Sequence, residues 1–157
     1  MTNELITVIV AALPVSELRG AIPLAVLSFK IPLAKAFLLS VLGNLIPVIP
    51  LLLFLQPVSE KLRHFRLWSK FFDYLFERTR RKASLIEKYE ALGLILFVAV
   101  PLPITGAWTG CIAASLFKIR FRYAFLAISI GVLIAAIIVS TITVAGSGVL
   151  FRLLIRQ

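Results

Sequence analysis

The chain has 157 residues, 61% of them hydrophobic and only 15% charged, with a mean hydropathy of +1.03. A soluble domain is about 45–50% apolar and about 25% charged, so the composition excludes an ordinary soluble fold and asks for lipid against part of the surface. The net charge of +10 does not indicate nucleic acid, because the basic residues gather in one central segment and at the edges of apolar runs, as in cytoplasm-facing loops that meet anionic headgroups.

In chain order, the N-terminus carries Glu4 and no Lys or Arg. A secretory leader begins with positive charge, so Leu5–Leu13 reads as part of the mature protein. Residues 5–57 are apolar and hold six of the eight prolines. A short run, Leu5–Leu13, leads to a break, PVSELRGAIP at 14–23, and a second short run, Leu24–Phe29. A basic spot at Lys30 and Lys35 precedes a long run, Ala36–Leu55. Residues 58–92 are charged and free of Gly and Pro, which predicts helix. Leu62, Phe65, Trp68, Phe72, Leu75 and Phe76 recur at mostly helical spacing, with Lys61, Arg63, Arg66 and Lys70 in other directions, so this segment suits a membrane surface. RTRRK at 78–82 fits either headgroup phosphates or a solvated loop that sets topology. The first layout then returns: Ala91–Val100, a break PLPITGAWTG at 101–110, Cys111–Phe117, a basic spot at Lys118, Arg120 and Arg122, and a long run, Tyr123–Ala145.

The two apolar zones resemble each other. FKI at 29–31 recurs at 117–119, AFL at 36–38 recurs at 124–126, and Gly43 matches Gly131, all 88 residues apart. Pro14 pairs with Pro103 and Gly20 with Gly110 at slightly larger offsets. Internal repeats of this kind mark transporters. The long runs can cross a hydrocarbon core of ~30 Å, and each short run reaches about half way. Two arrangements fit. Each short pair is a re-entrant hairpin, which makes the repeats inverted, or one kinked crossing, which makes them parallel. The hairpins keep 58–92 and Lys118–Arg122 on the same, cytoplasmic side, so charge placement favours them.

Ionisable groups at membrane depth cost about 2.5–3.5 kcal/mol each and usually face an ion or substrate path. Glu17 and Arg19, between Pro14 and Pro23, are therefore the first candidates: a coupling carboxylate beside a cation for an anionic substrate, or else a structural ion pair or a loop that reaches the surface. The second break offers Thr105, Gly106, Trp108 and Thr109 after Pro103, with free N–H groups at the start of the next half-helix. Packing is the competing role for these residues. Asn44 either joins the site or, more commonly for such a residue, makes an interhelical hydrogen bond. Enzyme signatures such as HExxH and Walker A are absent; Asp73 and His64, the only Asp and His, lie in the charged middle. Cys111 is alone, so neither a disulfide framework nor a metal site is expected, and no cofactor.

ELRGAIP at 17–23 and PLPITGAWTG at 101–110, in a chain of this length with a charged middle, resemble the prokaryotic small multidrug export protein family, related to the DedA superfamily. The second motif departs from the expected pattern at Ile104, where Gly would stand. The resemblance implies inverted re-entrant hairpins, proton-dependent handling of lipid carriers or other substrates, and a role for arginines after the second hairpin, here Arg120 or Arg122.

The expectation is an all-α integral membrane protein forming one domain over 1–157. Two inverted repeats (4–57 and 93–150), each a re-entrant hairpin followed by a spanning helix, flank a cytoplasmic amphipathic segment (58–92), with a short tail at 151–157. The expected function is proton-coupled export of small organic or amphipathic molecules across the cell membrane; the alternatives are a flippase or scramblase for anionic lipids and a structural or regulatory subunit. Partners would be membrane lipids, protons or other cations and the substrate, with a homo-oligomer left open.

Overall fold

The structure is a computed structural model that describes residues 2–62, 83–101 and 105–155, with side chains described at 2–55, 90–101 and 105–146. The amphipathic stretch from Phe65 to Phe76, RTRRK and Pro103 lie outside these residues. All regular structure among the described residues is helical. In order these are α1 (Asn3–Ala12), α2 (Glu17–Pro23) running into a π-helical turn (Leu24–Ser28), α3 (Leu33–Leu45), α4 (Val48–Leu62), α5 (Ala83–Ala99), α6 (Ala107–Leu116) and α7 (Phe121–Ile155). Two stretches, Leu33–Leu55 and Phe121–Gly146, are long and apolar enough to cross a membrane by length and composition. Leu38, Leu42, Phe54, Leu126 and Ile137 face outward, so large apolar side chains stand on the exterior as well as in the core. That is the surface of a membrane protein, where burial of apolar area does not drive helix association.

Several boundaries differ from the sequence expectation, and the prolines explain most of the differences. The first break is shorter than 14–23, because α2 already begins at Glu17. Pro23 sits inside the helix, where it has no N–H to donate one turn back, and the chain widens into a π turn directly after it. This turn also absorbs extra chain: Gly20 to Phe29 spans two more residues than Gly110 to Phe117. The first long run is not continuous. It is interrupted at Ile46–Pro47, where Pro47 and Pro50 each remove a donor from the ladder. The matching stretch of α7 has no proline and runs unbroken. Helix α5 starts at Ala83, eight residues before the apolar run expected to begin at Ala91.

The repeated FKI is a helix stop. Lys118 is left-handed (φ 54°), Ile119 N–H donates to Ala114 O at 2.9 Å and Lys118 N–H to Ser115 O at 3.2 Å, a Schellman closure of α6. Lys30 is left-handed in the same way (φ 56°), and Ile31 N–H reaches Ala25 O at 2.9 Å. In both copies the Ile is buried and the Lys is exposed at a helix C-terminus, where a cation is favoured.

Side-chain contacts settle the helix directions. Helices α1 and α3 run parallel: Lys35 pairs with Glu4 at 2.6 Å, and further along Gly43 meets Val8 and Ala11. The π turn packs back on α1, so the chain doubles over at the first break. Helix α6 runs parallel to α4, with Cys111 over Val48 and Ser115 Oγ donating to Leu55 O at 2.7 Å. It is antiparallel to α7, since Gly110 abuts Ile128 and a short turn joins Leu116 to Phe121. Helix α7 therefore runs opposite to α3–α4. Each second half-helix also crosses over: α2 packs against α7, and α6 packs against α4.

The same glycine crossing occurs in both halves. A Cβ on Gly43 would stand 2.5 Å from Val8 O and 2.9 Å from Ala11 Cβ; on Gly131 it would stand 3.0 Å from Ile95 O and 2.7 Å from Val98 Cβ. Backbone contact this close needs glycine. Gly43→Ala and Gly131→Ala should each lower the detergent-solubilised melting midpoint, overpacking of about 1–3 kcal/mol exceeding the gain in helix propensity. Gly93→Ala in α5, with nothing within 4 Å of the new methyl, should be neutral or raise it.

Candidate functional site

Where a helix breaks at membrane depth, its last carbonyls and first amides need partners that lipid does not supply. Among the described residues, short helices are separated by Leu13–Ser16 between α1 and α2 and by 100–106 between α5 and α6. Each of these breaks receives hydrogen bonds from the other half of the chain.

At the second break the partners are charged. Glu17 is buried, 6% exposed, and its backbone is left-handed (φ 46°). Its carboxylate lies at the start of α6, where Trp108 N–H donates to Oε1 at 3.4 Å. An anion at a helix N-terminus is held by free amides and by the helix dipole together. Arg19 serves the opposite end. Its Nη2 donates to Thr105 O, to Thr105 Oγ1 at 3.1 Å and to Val100 O at 3.4 Å, just past the end of α5. Acid and base two residues apart thus close the N-terminal and C-terminal sides of one broken helix, each matching the local dipole. Among the described residues they form no direct salt bridge with each other, although their charges still act on one another.

At the first break the partners are neutral. Trp108 Nε1 donates to Ala12 O, the last residue of α1, at 3.1 Å, and Ser16 Oγ donates to Val10 O at 2.7 Å. Thr105 Oγ1 repeats the Ser16 role, donating to Val100 O at 2.5 Å. Arg19 and Trp108 are 89 residues apart, as are Glu17 and Gly106, and Ser16 and Thr105. At that offset a donor from each half reaches the C-terminal end of the other half's first helix. Trp108 therefore ties the breaks together.

Gly106 faces Glu17 directly. Its φ is 157°, a value L side chains rarely adopt, and a Cβ there would overlap the Glu17 carboxylate. Glu17, Arg19, Asn44, Gly106 and Ala107 meet in a narrow cleft closed by Leu18, Val98, Val132 and Ala135, too tight for a water-sized sphere. Asn44 is fully buried there, and neither its Oδ1 nor its Nδ2 has a hydrogen-bond partner. The interhelical hydrogen bond that the sequence favours for it is not made.

The other candidates lie apart from this centre. Pro14 is exposed in the turn after α1, and Pro23 acts through the π turn. Thr109 Oγ1 closes its own turn on Gly106 O at 3.3 Å. Arg120 and Arg122 are exposed at the start of α7, at the far end of α6 from Gly106, ten helical residues or about 15 Å away. The described residues contain no cluster of three or more His, Cys, Asp or Glu able to hold a metal. Ser40, missed from sequence, is fully buried one helical turn before Asn44; the spacing of two polar residues four apart in an apolar run was the available signal.

Gly106→Ala should lower the melting midpoint sharply, through backbone strain and displacement of the carboxylate. Adding Glu17→Ala should restore part of the loss. A double-mutant cycle that came out additive would show that the two residues do not meet.

A family model described as "Putative small multi-drug export protein" matches residues 17–138. No curated protein and no solved structure matches the chain.

Proposed function

The chain belongs to the small multi-drug export protein family, and from that premise we propose that it is a proton-coupled secondary transporter exporting small organic or amphipathic molecules. One observation carries the reading: a buried carboxylate from one broken segment holds the amide end of the other. Neutralising Glu17 removes the charge that the α6 N-terminus attracts, so a bound proton weakens a contact between the two halves. A contact that depends on protonation is what couples an ion to a conformational change.

In this reading the halves are inverted repeats. The opposite directions of α3–α4 and α7, the doubling back at the first break and the paired glycine crossings support it. The short helix pairs are re-entrant hairpins, the chain is multi-pass in the cell membrane, and residues 58–92 are cytoplasmic. Kinship with the DedA superfamily belongs to the same reading, as do protons or other cations and lipids as partners and assembly into a homo-oligomer. A second reading, a flippase or scramblase for anionic lipids, draws on the exposed basic rim of Lys118, Arg120 and Arg122.

Purified protein in liposomes separates these. Substrate flux that follows an imposed pH gradient supports the transporter. Lipid equilibration without a gradient supports the scramblase, and inertness in both assays supports a structural or regulatory subunit. Glu17→Gln should abolish the dependence on the gradient while the protein still folds; unchanged coupling in that variant refutes the role of Glu17. Topology is tested with N3C, K70C and R156C in a Cys111→Ala background. K70C should react from the cytoplasmic side and the other two from the opposite side; terminal labelling from the cytoplasm would instead favour kinked spans.

A further inference from the structure

Hydroxyls on an apolar helix can donate to the carbonyl one turn back, and Thr7, Thr141 and Thr143 do so at 2.8, 2.9 and 2.7 Å. Asn44 has no such remedy. Its planar carboxamide carries a donor and an acceptor, and the carbonyls of its own helix can answer only the donor. It is fully buried, and neither Oδ1 nor Nδ2 has a partner. Unpaired buried groups of this kind are uncommon, and ordered water is their usual partner. The cleft around Asn44 is too tight to admit a water, so the partner has to be a protein group.

Of the side chains that share the cleft with Asn44, only Glu17 and Arg19 are polar. Helix α2, which carries both, packs on α3, which carries Asn44. A guanidinium only donates, so it could answer Oδ1 and would leave Nδ2 bare. A carboxylate only accepts, so it could answer Nδ2 and would leave Oδ1 bare. A protonated carboxyl does both at once: its O–H donates to Oδ1 while its other oxygen accepts from Nδ2. In the geometry described, both charges are engaged elsewhere. Glu17 Oε1 accepts from Trp108 N–H at 3.4 Å, and Arg19 Nη2 donates to Val100 O and to Thr105. A proton on Glu17 loosens the first of these contacts and leaves the second intact.

We propose that Asn44 is the partner of the protonated Glu17 carboxyl: on taking up a proton, Glu17 leaves the α6 amide and pairs with the Asn44 carboxamide. The exchange rests on the proton-coupled reading above and supplies its second end state. One proton adds to the carboxylate, the Trp108 N–H bond to Oε1 breaks, and two hydrogen bonds form, O–H to Oδ1 and Nδ2–H to the other carboxyl oxygen. Glu17 and Asn44 belong to one half of the chain and Trp108 to the other. The proton therefore replaces a bond between halves with bonds inside one half, and the released α6 amide is where the halves part. The titratable groups facing Glu17 are Arg19 on its own element and Cys111 on α6. Glu4 of α1 is paired with Lys35 at the far end of that helix. Helices α3, α5 and α7 present only Asn44, Val98, Val132 and Ala135 to the cleft, so among the described residues no other acid competes for the Asn44 amide.

Infrared difference spectroscopy on the full chain in liposomes reads both partners. Asn3 is the only other asparagine, so asparagine carrying carbon-13 at its side-chain carbonyl, in an Asn3→Ser background, reports on Asn44 alone. Lowering the pH should bring up a carboxylic-acid C=O band that Glu17→Gln lacks. In step with it the Asn44 carbonyl band should move to lower frequency, as its oxygen gains a donor. In Glu17→Gln, whose carboxamide both donates and accepts at any pH, the Asn44 band should stand at the shifted position throughout. Asn44→Leu, similar in shape and without polar atoms, should weaken proton binding by Glu17 about tenfold, because the neutral carboxyl loses its partner. An apolar neighbour acting only through desolvation would strengthen that binding instead. An Asn44 band that ignores pH, or proton binding unchanged or tighter in Asn44→Leu, would overturn the pairing; should the leucine variant not fold, the labelled chain decides alone. A band shift together with pH-gradient coupling that survives Glu17→Gln keeps the pairing and sinks the coupling role of Glu17. Coupling lost in Glu17→Gln with an unmoved Asn44 band does the reverse.

Discussion

The structure depends on the closing of interrupted helices away from water. A helix that stops inside an apolar surrounding leaves amides at one end and carbonyls at the other, and each unpartnered group costs about 1–3 kcal/mol. Here some of the missing partners come from the other half of the chain. Arg19 reaches Val100 and Thr105, and Trp108 reaches Ala12. Neither broken pair is complete by itself, so the halves form one unit even though little apolar burial drives them together.

The two junctions are not equivalent in kind. Indole and hydroxyl donors close the first, and their bonds do not change with proton or ion concentration. A carboxylate and a guanidinium close the second, and the carboxylate's hold on the α6 amides depends on its charge. In the proton-coupled reading, a fixed joint beside an adjustable one gives the molecule a defined place at which to loosen. The glycine crossings at Gly43 and Gly131 lie on the long helices directly beside this joint, next in sequence to Asn44 and Val132 of the cleft, and Gly131 packs on Val98.

Much of this was legible in the residues. The common offset of FKI, AFL and Gly43/Gly131 pointed to equivalent places, and the structure gives two of those matches the same local geometry. Glu17 and Arg19 stood out as charges among prolines, and they do meet the second break. What the pattern hid was mostly backbone detail. A break bounded by two prolines suggested a long irregular loop, yet helix resumes at Glu17, because Pro23 is tolerated by widening the next turn. Hydropathy could not show the interruption at Ile46–Pro47, since it leaves the run just as apolar. The shared task of Arg19 and Trp108 was masked because one is charged and the other aromatic; only their common side-chain N–H and common offset reveal it. Arg120 and Arg122 were drawn in by resemblance, and the length of α6 keeps them about 15 Å from the cleft.

Glu17 and Gly106 occupy matching positions and touch. In a symmetric pair of identical single halves, the residue on the axis meets its own copy. Two glutamates there would crowd and repel; two glycines would leave the amides of both second half-helices without an acid. Carrying both halves on one chain lifts that restriction, because each copy can then change alone. In the duplicated arrangement proposed here, the pairing of an acid with a vacancy is an innovation that fusion made available, and a two-subunit ancestor built from one gene had no means of encoding it.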